Sequence, residues 1–268
     1  MMGRRSLLVF GSLLAREVKM TLHYRWWLAM MQLSNIVVPA ISLLVWQGAM
    51  HLGARPPVSA SFLTTYLVIV SVVTLLTSSW TATFLATSIR LGGLSSWLVR
   101  PCSTHLSTLA NNVAEKSVKL ILLAPMIVVL ALAFRENISL PTSGARWALF
   151  VVAATIGGAI TFLLDIAIGS LAFWVEDVSG LDRLRNLSSR LLSGAILPLA
   201  LFPESLSGFL NFQPFRFMVS FPIETLLNAD ASAIAQGFLV QVTWLAIFAV
   251  AARALWRKGM RSYQGAGA

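Results

Sequence analysis

Charge is scarce in this chain: Asp, Glu, Lys and Arg make up 11% of its 268 residues. A soluble domain typically carries about 25%, so a water-facing globular surface is excluded. Cys102 is the only cysteine, which rules out an intrachain disulfide. His23, His51 and His105 lie far apart, so no Cys/His metal cluster is expected. The chain has no Gly-x-x-x-x-Gly-Lys-Ser/Thr, and therefore no phosphate-cradling loop of its own. Gly-x-Ser-x-Gly, His-Glu-x-x-His and paired intramembrane carboxylates are missing too. No catalytic, cofactor-binding or metal-ligating residues are expected.

What the chain does have is apolar length. Hydrophobic residues reach 57%, and mean hydropathy is +0.79. The 20 basic residues punctuate the apolar runs and crowd into alternate gaps. Sixteen lie before the first run, in the second and fourth gaps, or after the last run; Arg55, Arg135, Arg146 and Arg216 occupy the others. Basic residues near span ends are held on the cytoplasmic side, so this alternation predicts six spans with both termini in the cytoplasm. The net charge of +10 sits at span ends rather than on one face, which fits anionic lipid headgroups and not nucleic acid.

The expected fold is an all-α membrane protein forming a single membrane domain. Residues 4–23 read as a basic amphipathic helix on the cytoplasmic headgroups. Leu7, Phe10, Leu14, Val18 and Leu22 form one stripe, opposite Arg5, Ser12, Arg16, Lys19 and His23. A signal cleaved after Ala15 would put Leu13 at the minus-three position, where a small residue is wanted. Spans are expected at 26–50, 62–87, 118–134, 147–174, 184–202 and 233–256, each near the roughly 20 residues a bilayer needs. Asn35 lies in the first. The second is rich in Ser and Thr, including Thr77, whose hydroxyls serve either as packing groups or as the lining of a polar path.

Residues 88–117 form a cytoplasmic connector. Gly92-Gly93 and Arg100-Pro101 break the helix on either side of a short apolar stretch, and a helix restarts near Ser103, with Glu115 reaching Lys119 at i,i+4. Asp182 is the expected N-cap of the helix entering span five. Residues 203–228 hold two proline-opened apolar pieces, too short to span, which predict a re-entrant hairpin in the outer leaflet. Asp165 is the only acid near the middle of a span, where an ionisable group is expensive and often functional; packing against a hydroxyl or a partner and a direct transport role both remain open. A bundle of this shape lacks an energy source.

Three stretches carry a resemblance to the permeases of bacterial type-2 ABC exporters. They are Ile89-Arg-Leu-Gly-Gly-Leu-Ser-Ser-Trp-Leu-Val-Arg-Pro, Leu192-Ser-Gly-Ala-Ile-Leu-Pro-Leu-Ala-Leu-Phe-Pro and Pro214-Phe-Arg-Phe-Met-Val-Ser-Phe-Pro. The resemblance implies a bacterial inner-membrane permease, paired with a second copy or a related permease and bound to a cytoplasmic ATPase dimer that holds ATP and Mg. It further implies ATPase coupling through Arg90, Leu94, Trp97, Leu98, Arg100 and Pro101. Pro198, Phe202, Pro203, Pro214, Phe215 and Pro222 would form an outer gate, and Asn35, Thr77 and Asp165 would flank the translocation path. A stand-alone carrier or channel using Asp165 is the other class the sequence leaves open, with a membrane enzyme or assembly factor further behind. No substrate is legible, since one fold serves many cargoes.

Overall fold

Hydrophobic runs of this length leave helices as the means of satisfying the backbone away from water, and the computed structural model is helical throughout. It describes residues 2–53, 57–99, 103–228 and 230–263; the side chains of residues 2–7, 31, 32, 34 and 35 lie outside that description. No strand occurs among the described residues. The helices are α1 (Met2–His23), α2 (Arg25–Gln32), α3 (Ser34–His51), α4 (Ala60–Thr77), α5 (Thr81–Arg90), α6 (Gly93–Leu98), α7 (Thr104–Ala133), α8 (Gly144–Ser170), α9 (Ser179–Leu192), α10 (Ser207–Phe212), α11 (Ser220–Leu227) and α12 (Ala231–Ser262). Among the described residues four segments are long and apolar enough to cross a membrane: α4 with α5, α7, α8 with the turn after it, and α12.

Local chemistry sets several boundaries. Ser59 Oγ accepts from the Phe62 amide at 3.2 Å and opens α4; Ser103 Oγ accepts from the Leu106 amide at 3.2 Å and opens α7, where the breaker pattern places the restart. At 30 residues α7 is about 45 Å long, so it outreaches the hydrocarbon core. The connector and the third span are thus one unbroken helix from Thr104, with Pro125 inside it. Four hydroxyls of α4 bond back to their own helix: Thr65 to the Ser61 carbonyl, Ser71 to Leu67, Thr74 to Val70 and Thr77 to Val73.

Other expected boundaries differ. The 62–87 span is interrupted at residues 78–80, where Ser78 is extended (φ −62°, ψ 150°). The chain of the 26–50 span is divided at Leu33, between α2 and α3. The 184–202 stretch is not one helix: α9 ends at Leu192, Gly194 takes φ +82°, and a short 3-10 turn, Leu199–Leu201, follows Pro198. A Cβ on Gly194 would meet the Tyr66 hydroxyl at 2.4 Å, so this turn needs glycine twice over. Asp182 lies inside α9, and Asp177 caps its start instead, accepting from the Ser179 amide and hydroxyl at 2.8 Å each.

Two apolar clusters organise the packing. The larger joins Leu67, Val70 and Val73 of α4 to Leu123 of α7, Phe150 and Ile160 of α8, and Phe217, Phe221 and Ile223. The smaller joins Leu85 and Ile89 of α5 to Leu94 of α6, Ile166 of α8 and Ala252 of α12. The break in the α4–α5 segment falls where the first gives way to the second. The α1 helix packs along α7: Phe10, Leu14, Val18 and Thr21 are partly covered and Glu17 is buried. Leu8 and Leu22 remain exposed.

Candidate functional site

The connector after α5 becomes a short helix held in a socket. Gly92, in the left-handed region at φ +73°, opens α6. Leu94 turns inward and is fully buried against Leu85, Ile89 and Ile166. Ser95 Oγ lies 3.0 Å from the Tyr263 hydroxyl, which ties α6 to the chain just after α12. Trp97 also turns inward, lining a cavity of about 370 Å³ between α1, α5, α6 and α7 with Arg16, Glu17, Phe84 and Asn111. What faces out is Leu98 (44% exposed), Val99 (84%) and Leu91 (70%), with Arg90 beside them. Of the six expected coupling residues, then, Leu94 and Trp97 seat the helix, and Arg90 and Leu98 lie at its surface. Arg100 and Pro101 lie outside the described residues. Leu91 and Val99 are not among the six expected coupling residues, although each is apolar and adjoins a breaker, Leu91 the Gly92-Gly93 pair and Val99 the Arg100-Pro101 pair.

Arg90 also borders a cavity of about 320 Å³ with Glu176, Asp177, Asp182 and Arg183. The hydrogen bonds from Ser179 hold the Asp177 carboxyl below the usual carboxylate range, aided by Arg90 and Arg183.

Beneath the socket lies a buried ionic layer. The Arg185 guanidinium stands 2.7 Å from Asp165 and 3.0 Å from Asp182. The Ala82 amide donates to Asp165 Oδ2 at 3.4 Å, so an acid of α8 supports the first turn of α5. Lys119 pairs with Glu115 and sits 4.5 Å over the Trp80 ring. Glu17 of α1 accepts from Asn111 of α7 at 2.9 Å and pairs with Arg16. Asp165 and Thr77 are therefore both closed off inside the single chain, and Thr77 is satisfied by its own helix. The Asn35 side chain lies outside the described residues.

At the other end, residues 193–228 form short turns and helices, exposed over most of 203–212 and buried from Phe217 to Ile223. Pro198, Phe202 and Pro203 line a cavity of about 500 Å³ with Tyr66, Arg216 and Glu224. Arg216 and Glu224 pair at 2.6 Å, Ser220 Oγ donates to Glu224 at 2.7 Å, and Tyr66 donates to the Gly194 carbonyl at 3.0 Å. Pro214 precedes the 3-10 turn Arg216–Met218, and the Phe215 amide donates to Gln213 Oε1 at 2.7 Å. Pro222 is buried within α11. Gln241 of α12 donates to the Phe217 and Ala153 carbonyls at 2.9 Å each, which fastens this turn to α8. The six expected gate residues thus divide: Pro198, Phe202 and Pro203 line the cavity, and Pro214, Phe215 and Pro222 do not.

Several helices long and apolar enough to cross a membrane, among the described residues, mark a multi-pass membrane protein. The chain belongs to the ABC-2 transporter family: the family described as ABC-2 family transporter protein matches residues 58–267. It is accordingly a membrane permease component of ABC transport. The match takes in α4 through α12 and leaves α1, α2 and α3 outside it. No curated protein matches the chain.

Proposed function

We propose that this permease forms the export route of an ATP-driven type-2 ABC transporter and that α6 receives the movement of a separate cytoplasmic ATPase dimer. The observation that carries the reading is the division of α6: a buried Leu94 anchors it while Leu98 and Val99 face outward. A helix fixed on one side and apolar on the other can pass a push to its socket. That socket reaches α5, α8 and α12 together. ATP and Mg would be bound and hydrolysed on the ATPase.

The alternating basic gaps support six crossings, with both ends in the cytoplasm of a bacterial inner membrane. In this reading α2 with α3 makes the first crossing and α9 with the following residues the fifth. Residues 203–228 form a re-entrant outer gate, supported by the burial of Phe217 to Ile223 inside the bundle and by the cavity at Pro198, Phe202 and Pro203. A second permease copy or a related permease completes the route, with Asn35 flanking it, while Thr77 is turned into this chain's own packing. Asp165 then serves the route indirectly, by holding α8, α5 and α9 in register.

The test is co-purification with the ATPase, and ATP hydrolysis measured with and without the permease. Leu98→Asp with Val99→Asp is expected to abolish assembly or to remove the permease's effect on hydrolysis, while monodispersity in detergent is retained. Unchanged assembly together with unchanged hydrolysis refutes the assignment of α6.

A further inference from the structure

A groove of about 670 Å³ runs between the start of α7, α8 and the C-terminal half of α12. Its walls are aliphatic, with Leu163 and Ile166 from α8 and Val250 from α12. Val250 is 69% exposed on a helix apolar enough to cross a membrane, so the groove opens sideways toward acyl chains and not toward water. One end is different. Arg253 and Arg257, four residues apart and so on one face of α12, border it together with Trp256. His105, in the first turn of α7, packs on Trp256 with ring centroids 4.6 Å apart, closing the corner.

Charge separates this groove from the other cavities. Arg16 meets Glu17 in the first, Arg216 meets Glu224 in the outer one, and Arg90 and Arg183 share theirs with Glu176, Asp177 and Asp182. Here no carboxylate lines the space. Among the described residues neither Arg253 nor Arg257 has an acid within ion-pair distance. Two guanidiniums at the end of an apolar trough complement a group that is anionic at one end and aliphatic at the other. Paired arginines suit a phosphodiester, whose oxygens accept forked hydrogen bonds. Tryptophan beside them suits the headgroup level.

We propose that this groove binds one anionic phospholipid, with its phosphodiester against Arg253 and Arg257 and an acyl chain along Leu163, Ile166 and Val250. The lipid fastens the basic end of α12 to α7 and α8. This site does not depend on the transport reading, and its test needs no ATPase.

The full chain is equilibrated with vesicles of phosphatidylethanolamine and phosphatidylglycerol, extracted, and weighed with its retained lipid by native mass spectrometry. The wild type is expected to keep one phosphatidylglycerol in preference to phosphatidylethanolamine. Arg253→Gln with Arg257→Gln is expected to lower that retention about ten-fold. Arg183→Gln with Arg190→Gln, which removes the same charge elsewhere, should leave it unchanged. Val250→Trp, which fills the mouth of the groove without altering charge, should lower it as well, and it carries the test if the glutamine pair fails to fold. Equal retention of the two lipids by the wild type overturns the proposal. So does retention unaffected by the groove variants, or equal loss in the Arg183/Arg190 pair. A change in oligomeric mass without a change in lipid assigns the groove to a second copy of the chain and overturns it too.

Discussion

Arg185 on α9 stands 2.7 Å from Asp165 on α8, and Asp165 is wholly closed to solvent. The same carboxylate takes the Ala82 amide at the start of α5. One side chain therefore joins three helices, and its charge is tolerable only because Arg185 answers it. Removing one partner of a buried pair leaves the other uncompensated, at about 3–5 kcal/mol.

Arg185→Met is accordingly expected to destabilise the protein by about that amount, read as a lowered midpoint of thermal unfolding in detergent. Asp165→Asn combined with Arg185→Met should recover part of the loss, because the fully buried carboxylate no longer carries a charge, while the partly exposed Asp182 keeps its own. A double-mutant cycle with no coupling between the two positions would contradict the pair.

Gly157 lets α8 touch the turn that holds Phe217 and Met218. A Cβ there would lie 2.8 Å from the Met218 carbonyl oxygen and 2.9 Å from that of Phe217. Both obstacles are backbone, so neither can rotate away. Gly157→Ala should cost about 1–3 kcal/mol. Gly180→Ala, with nothing within 4 Å of its Cβ, should raise stability by about 0.4–1 kcal/mol. Paired unfolding curves check both signs.

Gln241 is buried and donates to the Ala153 and Phe217 carbonyls. Gln241→Leu keeps the bulk and strips both carbonyls of a donor, which is expected to cost about 1–3 kcal/mol. Amide exchange should quicken first in residues 216–219, where the turn loses its tie to α12. Uniform loss of protection across α8 instead would mean that Gln241 does not hold that turn.

Asp230 caps α12. Hydrogen bonds from the Ser232 hydroxyl and amide, with the Ala233 amide, hold its carboxyl below the usual carboxylate range. A depressed folded-state value means the cap contributes fully above the unfolded value of about 3.9. The contribution fades as pH falls below that point and is gone once pH passes beneath the folded value. Protection of the Ser232 and Ala233 amides, taken relative to the unstructured exchange rate at each pH, should therefore fall on acidification through that window, and Asp230→Asn should flatten its pH dependence.

Much of the helical plan is legible in residue pattern. Ser103 opens α7 because a hydroxyl before an apolar run can take the first free amides, and that is a local matter. Gly92-Gly93 isolates α6 for the same kind of reason. The break at residues 78–80 gives no such notice, since Ser-Ser-Trp contains neither glycine nor proline. It survives in an apolar segment because Ser79 serves the Thr81 amide at 3.3 Å and Asp165 the Ala82 amide. One of those partners lies 83 residues along the chain. The amphipathic stripe of α1 was readable too, but not that Glu17 would turn inward to meet Asn111.

The sequence alone determined that this is a helical membrane chain, with its apolar runs and its breakers. Those features follow from the hydrophobic effect and from backbone preferences, which act over a few residues at a time. Only the tertiary structure decided that Asp165 faces Arg185, that Trp97 points into the bundle while Val99 points out, and that Arg253 and Arg257 end an apolar groove without an acid. Each depends on which helix lies against which, and a periodicity along one helix says which face is covered without saying by what.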